Sequence, residues 1–388
     1  MKILFWLSLV LILHTFIIYP LSLMVVEKFY KQRDNITLRN NYIPNVSFII
    51  AAHNEEKVIK NKLENTLKLN YSPHNLEIIV ASDNSNDNTN KIIKKFINDH
   101  KGKNDPKIKL YIVKERKGKT NAQNEAVREA SGEILAFSDA NTMWKEDSLK
   151  KLVVAFKDND IGYICGRLQY INDYHNLTAE SESTYWNYDL KIREWESKIA
   201  SITAGNGAIY AIRKSDYEEI DPIRCHDGNM PSIMVIKNKK AKYIKEAVAF
   251  EKAGETIEDE FKRKVRMFRG LPWNKYTKLS RYNFFKHGWF SYFYFSHRFL
   301  RQSLYMLHLL LLFSNIYIYD IHFIYQLCLI GQVLFYSLAI MGFVTNIKNK
   351  LFSLPYYYSM TIIAQFIAVC KSLLGKNKAF WEKAESTR

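Results

Sequence analysis

Asp83 and Asp87 in VASDNSNDNT and Asp139 in ILAFSDAN close strand-like runs, a layout suited to holding a nucleotide and a divalent cation. The runs themselves, Val46 to Ala51, Leu76 to Ala81 and Ile134 to Phe137, are short and apolar, end in polar residues and are separated by helical patterns. This alternation predicts an α/β domain with a mostly parallel sheet. In such a sheet ligands sit beyond the carboxyl ends of the strands, which is where His53, Asn54, Asp83 and Asp139 fall. One aspartate in that position reads as a solvated loop, whereas several at equivalent strand ends read as a site.

The elements around this domain look membrane-bound. Within the 388 residues, Ile3 to Val26 is nearly uncharged and long enough for a hydrocarbon layer of ~30 Å, which takes about 20 helical residues. A cleaved signal peptide is the competing reading, but the run is long, His14 and Pro20 interrupt it, and no small-residue cleavage site follows. Leu304 to Tyr319, Ile321 to Val344 and Leu351 to Leu374 are three further apolar stretches, which makes four segments. The expected order is an anchor over 1–27, a catalytic domain over 45–270, interfacial aromatic and basic helices over 271–303, membrane segments over 304–374 and a basic tail over 375–388.

Lys28, Lys31 and Arg33 follow the first segment, and the expected turn between the second and third segments, Ser314 to Asp320, contains no Lys or Arg, which puts the large domain in the cytoplasm. The last segment breaks this rule, because Lys348 and Lys350 before it and Lys376, Lys378, Lys383 and Arg388 after it all ask to be inside. Pro355 and Tyr356, Tyr357 and Tyr358 would suit an interfacial hairpin instead of a crossing. The net charge of +17 flanks the apolar segments and forms no compact nucleic-acid motif, so anionic lipid is the expected partner. Cys165, Cys225, Cys328 and Cys370 imply neither a disulfide framework nor a zinc site.

VSFIIAAHNEEKVI, VASDNSNDNT, KGKTNAQNEAVREASGEILAFSDAN, AGNGAIYAIRKS and RKVRMFRG, in this order and spacing, resemble membrane-bound family 2 glycosyltransferases of the GT-A fold, the group that contains synthases of cellulose, hyaluronan and poly-N-acetylglucosamine. The resemblance covers about residues 45 to 300. It implies that Asp83 receives the uracil of a UDP-sugar, with His53, Asn54 and Glu55 flanking the nucleotide and Lys119 approaching the diphosphate. The usual Asp, any residue, Asp becomes Asp139, Ala140, Asn141. A cation such as Mg²⁺ or Mn²⁺ then has one carboxylate and one amide oxygen, unless Asn141 only caps a helix.

The same resemblance puts the catalytic base after AGNGAIYAIRKS, before a proline. His226 replaces the first acid of the usual pair there, so Asp227 is the expected base and His226 tunes it, binds acceptor or is a hydrogen-bonded structural residue. Arg263 and Arg266 match the diphosphate arginines, and Met267 stands where a tryptophan would stack on the acceptor sugar. A basic interfacial helix facing lipid is the alternative for this stretch. Trp273 to Phe299 is aromatic enough to lie in the headgroup plane. Gly205, Asn206 and Gly207 form a compact turn that could admit an acceptor or be just a tight turn, and Glu182, Tyr185 and Trp186 could line that path, with ordinary core and surface roles the alternative.

The expected activity is inverting, metal-dependent transfer of a hexose or N-acetylhexosamine from a UDP-sugar to a lipid-linked or polysaccharide acceptor at the cytoplasmic membrane, in cell-surface glycan synthesis. Two alternatives remain: a processive polysaccharide synthase, and a membrane subunit that binds nucleotide sugar without turnover.

Overall fold

The computed structural model describes residues 1–30, 42–102, 104–171, 177–252, 257–271, 279–345, 349–377 and 379, with side chains in the helix Leu177–Ile199 described from Trp186 onward. Among the described residues eight strands form one sheet: β1 Val46–Ala52, β2 Leu76–Ser82, β3 Lys107–Ile112, β4 Ile134–Asp139, β5 Met143–Trp144, β6 Ile161–Tyr170, β7 Tyr210–Arg213 and β8 Lys240–Glu251. Their order is β3-β2-β1-β4-β7-β6-β8-β5. The β3-β2-β1-β4 half is parallel throughout, β6 is parallel to β8, and β7 and β5 enter antiparallel. The expectation of an α/β domain with a mostly parallel sheet is met.

Every residue of β1 and β2 is buried, because helices cover both faces. Successive side chains point to opposite faces. Phe48, Ile50, Ile78, Val80 and Ala136 pack with Ile59, Leu63 and Ile93 on one side, while Ile49, Ile79, Leu135 and Phe137 pack with Ala122, Ala126 and Met230 on the other. Truncating Phe48 or Phe137 to alanine costs about 3–5 kcal/mol, a large part of the stability of a domain.

The N-terminal helical span runs over Lys2–Phe29. Pro20 does not break it. A π turn over His14–Ile18 precedes the proline, and the Phe16 carbonyl, which Pro20 has no N–H to reach, accepts a 3.1 Å hydrogen bond from the Tyr188 hydroxyl. Among the described residues only Lys2–Phe29 and Phe323–Thr345 are both long and apolar enough to cross a membrane; Leu304–Ile318 is apolar but shorter. These are two of the four segments expected from sequence.

The helix Lys350–Leu373 passes through Pro355 without a hairpin. It packs on the helix Ile257–Met267, with Ala364, Ile367 and Ala368 against Phe261, Val265 and Phe268. That apolar face is thus covered by protein, which corrects the lipid-facing alternative for the basic helix. Helical structure also extends to Ile318, so the turn expected over Ser314 to Asp320 begins later, and Ser314 is buried. Phe290, Phe293 and Tyr294 are buried against protein as well, so that part of the aromatic stretch does not face headgroups, whereas Phe285 is fully exposed. Trp273 lies outside the described residues, as do Lys31, Arg33, Lys348, Lys378, Lys383, Arg388 and the side chains of Glu182 and Tyr185.

A buried polar network joins the apolar helices to the sheet domain. Tyr19 Oη donates to Glu196 Oε1 at 2.6 Å, His297 bridges Glu196 at 2.7 Å and Asp189 at 3.0 Å, and Arg301 Nη1 donates to Asp189 at 2.8 Å. Arg193 pairs with Asp189 at 2.7 Å and donates to the Gly205 carbonyl at 2.9 Å. Trp186 donates to the Leu168 carbonyl and stacks beneath Arg193, which makes it part of this packing and not of an open acceptor path.

Candidate active site

Asp83 follows β2 and is nearly buried, its backbone N–H bonded to the Ala52 carbonyl at 2.8 Å. Its carboxylate accepts from the backbone N–H groups of Lys117 at 3.0 Å and Gly118 at 2.9 Å. Gly118 has φ +96°, open to glycine at little cost, and this turn launches the helix Lys119–Glu129. Asp83 therefore sets the position of Lys119. His53 Nδ1 lies 2.7 Å from the Asp83 carbonyl, and the side chain of Asn54, whose φ is 54°, donates to Asn86 Oδ1 and accepts from the Asn86 backbone N–H. Glu55 is buried, its N–H on Thr89 Oγ1. Asp87 accepts from Thr89 N–H at 2.9 Å and Glu56 N–H at 3.2 Å, so the second acid of this cluster ties the start of the helix Thr89–His100 to the loop after β1.

Asp139 ends β4 and forms an ion pair with Lys119, whose Nζ also lies 3.3 Å from the Gly207 carbonyl oxygen. Burial by itself would lower the Lys119 pKa, but Asp139, and behind it Asp227 and Glu251, hold it above the ordinary value. Asn141 does not cap a helix; its Nδ2 donates to Glu251 Oε1 at 2.9 Å.

Asp227 lies in the first turn of the helix His226–Ile236, whose positive end favours a carboxylate. Pro231 sits four residues on and has no N–H for the Asp227 carbonyl. Gly205 N–H takes that carbonyl instead at 2.9 Å, which docks the glycine turn onto the helix. Gly207 faces the centre: a Cβ there would lie 3.0 Å from Lys119 Nζ and 3.8 Å from Asp227 Oδ2. Gly205 and Asn206 do not face it. Both are buried, and Asn206 donates to the Gly166 carbonyl while accepting from Ala208 and Ile209 N–H. They shape the turn, and the acceptor expectation for these two positions is corrected.

His226 is corrected too. It is 2 % exposed, with Nδ1 3.0 Å from Tyr210 Oη and Nε2 3.0 Å from Asn124 Oδ1. Burial, outweighing the neighbouring Asp227, lowers its pKa to about 3, so it is a neutral structural residue out of reach of an acceptor.

Arg263 forks onto Glu260, at 2.6 and 2.8 Å. Burial and then Arg263 and Arg269 lower the Arg266 pKa to about 10, against the pull of Asp139. Met267 is 50 % exposed, with its sulfur 3.2 Å from Arg263 Nη1.

Two residues escaped the sequence reading. Lys62 is fully buried between Phe48 and Trp144, at 5.3 and 5.8 Å from the ring centroids, and donates to the Thr142 carbonyl at 2.6 Å. Burial lowers its pKa to about 7 despite Asp139. Glu251 is the other. Nothing in the local sequence marks either, because both matter only through contacts distant in the chain.

Among the described residues no three His, Cys, Asp or Glu side chains converge as a metal-binding group. Asp139 and Asn141 still fit a hard cation that takes one or two carboxylates and completes its shell with phosphates and water.

Residues 47–221 match the family described as Glycosyl transferase family 2. The chain carries a family 2 glycosyltransferase domain. It is similar to the probable glycosyltransferase YdaM of Bacillus subtilis (strain 168), 28% identical over 249 residues, 61% of this chain and 57% of the relative. The poly-beta-1,6-N-acetyl-D-glucosamine synthase of Staphylococcus epidermidis is 26% identical over 252 residues, 63% of this chain and 59% of the relative. The UDP-Glc:alpha-D-GlcNAc-diphosphoundecaprenol beta-1,3-glucosyltransferase WfgD of Escherichia coli is 31% identical over 128 residues, 33% of this chain and 47% of the relative. The matched part of the chain thus spans about half to three-fifths of these relatives. The mannosyltransferase PcManGT from Pyrobaculum calidifontis, solved with GDP-Man and Mn²⁺, superposes with a TM-score of 0.67 at 18% identity, over 96% of this chain and 99% of that one. The fold is therefore GT-A-like.

Proposed function

We propose that the family 2 domain is a working, membrane-embedded, inverting glycosyltransferase that passes a hexose or N-acetylhexosamine from a UDP-sugar to a lipid-linked or polysaccharide acceptor. The observation that carries this reading is the meeting of Asp227 and the Lys119–Asp139 pair around Gly207. A carboxylate able to take a proton and a cation able to meet a diphosphate then lie on either side of the small opening that Gly207 leaves. The Asp227 carboxylate removes the acceptor hydroxyl proton as that oxygen attacks the anomeric carbon. Lys119 and Arg266 meet the negative charge that develops on the departing diphosphate. Asp139 and Asn141 would hold a divalent cation, which when bound offsets the same charge.

The named activity of WfgD supports a lipid-linked acceptor, and that of the S. epidermidis relative supports a polymer. Met267 favours the first. It is half-exposed and offers no flat ring for a growing glycan, so single addition is the preferred form of the reaction. The two apolar helices support embedding in the membrane. The altered metal motif keeps a binding-only subunit as the rival. Full-length protein incubated with a panel of UDP-sugars and membrane lipid extract, with products read by mass spectrometry, tests the proposal. A glycosylated lipid supports it, a ladder of polymer replaces single addition by processive synthesis, and absence of both transfer and donor hydrolysis leaves the binding-only subunit.

A further inference from the structure

The carboxylate missing at position 141 has a neighbour that the sheet register supplies. β5 pairs antiparallel with β8, with Met143 opposite Phe250 and Trp144 opposite Ala249. One residue further along that register, Glu251 closes β8 beside the turn that runs from Asp139 to Thr142. Its backbone is fixed on the other side by β6, where it pairs with Tyr170 and its carbonyl accepts from Ile171 N–H at 3.0 Å. The side chains meet at 2.9 Å, Asn141 Nδ2 to Glu251 Oε1. An amide that turns its nitrogen to a carboxylate turns its oxygen away from it.

We propose that Glu251 is the second carboxylate of the divalent-cation site, taking the place of the acid that position 141 lacks, with Asn141 orienting it through their hydrogen bond. The proposal rests on the metal-dependent reading of the preceding section. Two carboxylates, one from the end of β4 and one from the end of β8, match what a cation such as Mn²⁺ or Mg²⁺ takes from protein when diphosphate and water supply the rest. The charge count equals that of an Asp, any residue, Asp motif. One ligand has moved from a turn to a strand end.

Mn²⁺ titration of the full-length protein in detergent with UDP present, read by electron paramagnetic resonance, tests this without reference to turnover. Glu251→Gln keeps the shape and an oxygen able to accept from Asn141, so the fold is preserved, and it should weaken Mn²⁺ binding about 10- to 100-fold. Asn141→Asp added to Glu251→Gln should restore affinity by returning the acid to the turn. Wild-type Mn²⁺ affinity in Glu251→Gln overturns this inference alone. A double variant as weak as Glu251→Gln overturns the exchange of roles. Wild-type protein that binds no Mn²⁺ overturns the metal reading and this inference together, while transfer activity in chelator would still uphold the transferase.

Discussion

Asp227 and Lys119 both converge on Gly207, so that a single methyl at residue 207 would lie 3.0 Å from the lysine nitrogen and 3.8 Å from the aspartate oxygen. Gly207→Ala should therefore displace Lys119 from Asp139 and crowd the carboxylate while leaving the fold intact. Turnover is expected to fall about 10-fold, less than the roughly 10²-fold cost of an ångström-sized misplacement, because Lys119 need give only a few tenths of an ångström. A kcat within error of wild type would show that this gap is not where the reaction takes place.

Asp227 itself is tested by Asp227→Asn, which keeps shape and removes basicity. Turnover should drop on the order of 10²-fold or more, the general-base scale, with UDP affinity almost unchanged. Wild-type rates would sink the assignment, and a loss confined to UDP binding would reassign the residue to the donor.

Asp139→Ala removes both the partner of Lys119 and the first candidate carboxylate of the cation site. Activity should disappear, and UDP binding should weaken when Mn²⁺ is present. Full wild-type activity in excess chelator would refute the cation's part in this and leave Lys119 as the partner of Asp139 alone.

Lys62 gives a pH dependence with a definite sign. Its pKa falls from the ordinary 10.5 to about 7 in the folded protein. Between these values the unfolded chain holds a proton that the native state has released, so this group makes stability rise with pH across the window and contributes nothing to the slope below it. The slope is at most about 1.4 kcal/mol per pH unit. Lys62→Met should remove that component, seen as the difference between wild-type and variant melting temperatures from about pH 7 to 10. An identical slope in both proteins would mean that Lys62 stays charged.

Much of this was legible in the sequence because parallel strands buried on both faces are written as unbroken apolar runs, and Asp83 and Asp139 stand at their ends. Residues whose role depends on remote partners were not. His226 stood open between tuning the base, binding acceptor and a structural role until Tyr210, Tyr217 and Asn124, from other elements, closed around it. Lys62 reads as a surface lysine, since lysine is almost never fully buried, and only Phe48, Trp144 and the Thr142 carbonyl make its position stable. Glu251 depends on the register of the two-residue strand β5, too short to leave a periodic signal. Ser314 was misread because an apolar pattern marks a helix more clearly than its end.

Orientation is the last prediction. The catalytic domain is expected in the cytoplasm, where the basic residues after the first segment and the supply of nucleotide sugar both put it. The helix Lys350–Leu373 bears on this, because Ser372 Oγ accepts from Gly270 N–H at 2.9 Å and Gln365 donates to the Arg301 carbonyl at 2.9 Å, which ties its C-terminal half to the catalytic side. If Phe323–Thr345 crosses, this helix starts and ends on one side, and Lys350 and Lys376 both satisfy the charge rule that a further crossing would break. In a cysteine-free background, single cysteines at Asn86 and Lys376 should resist a membrane-impermeant thiol reagent in intact cells, and one at exposed Asp320 should react. Labelling at Asn86 would reverse the whole arrangement and with it the cytoplasmic source of donor. Labelling at Lys376 alone would make Lys350–Leu373 a true crossing.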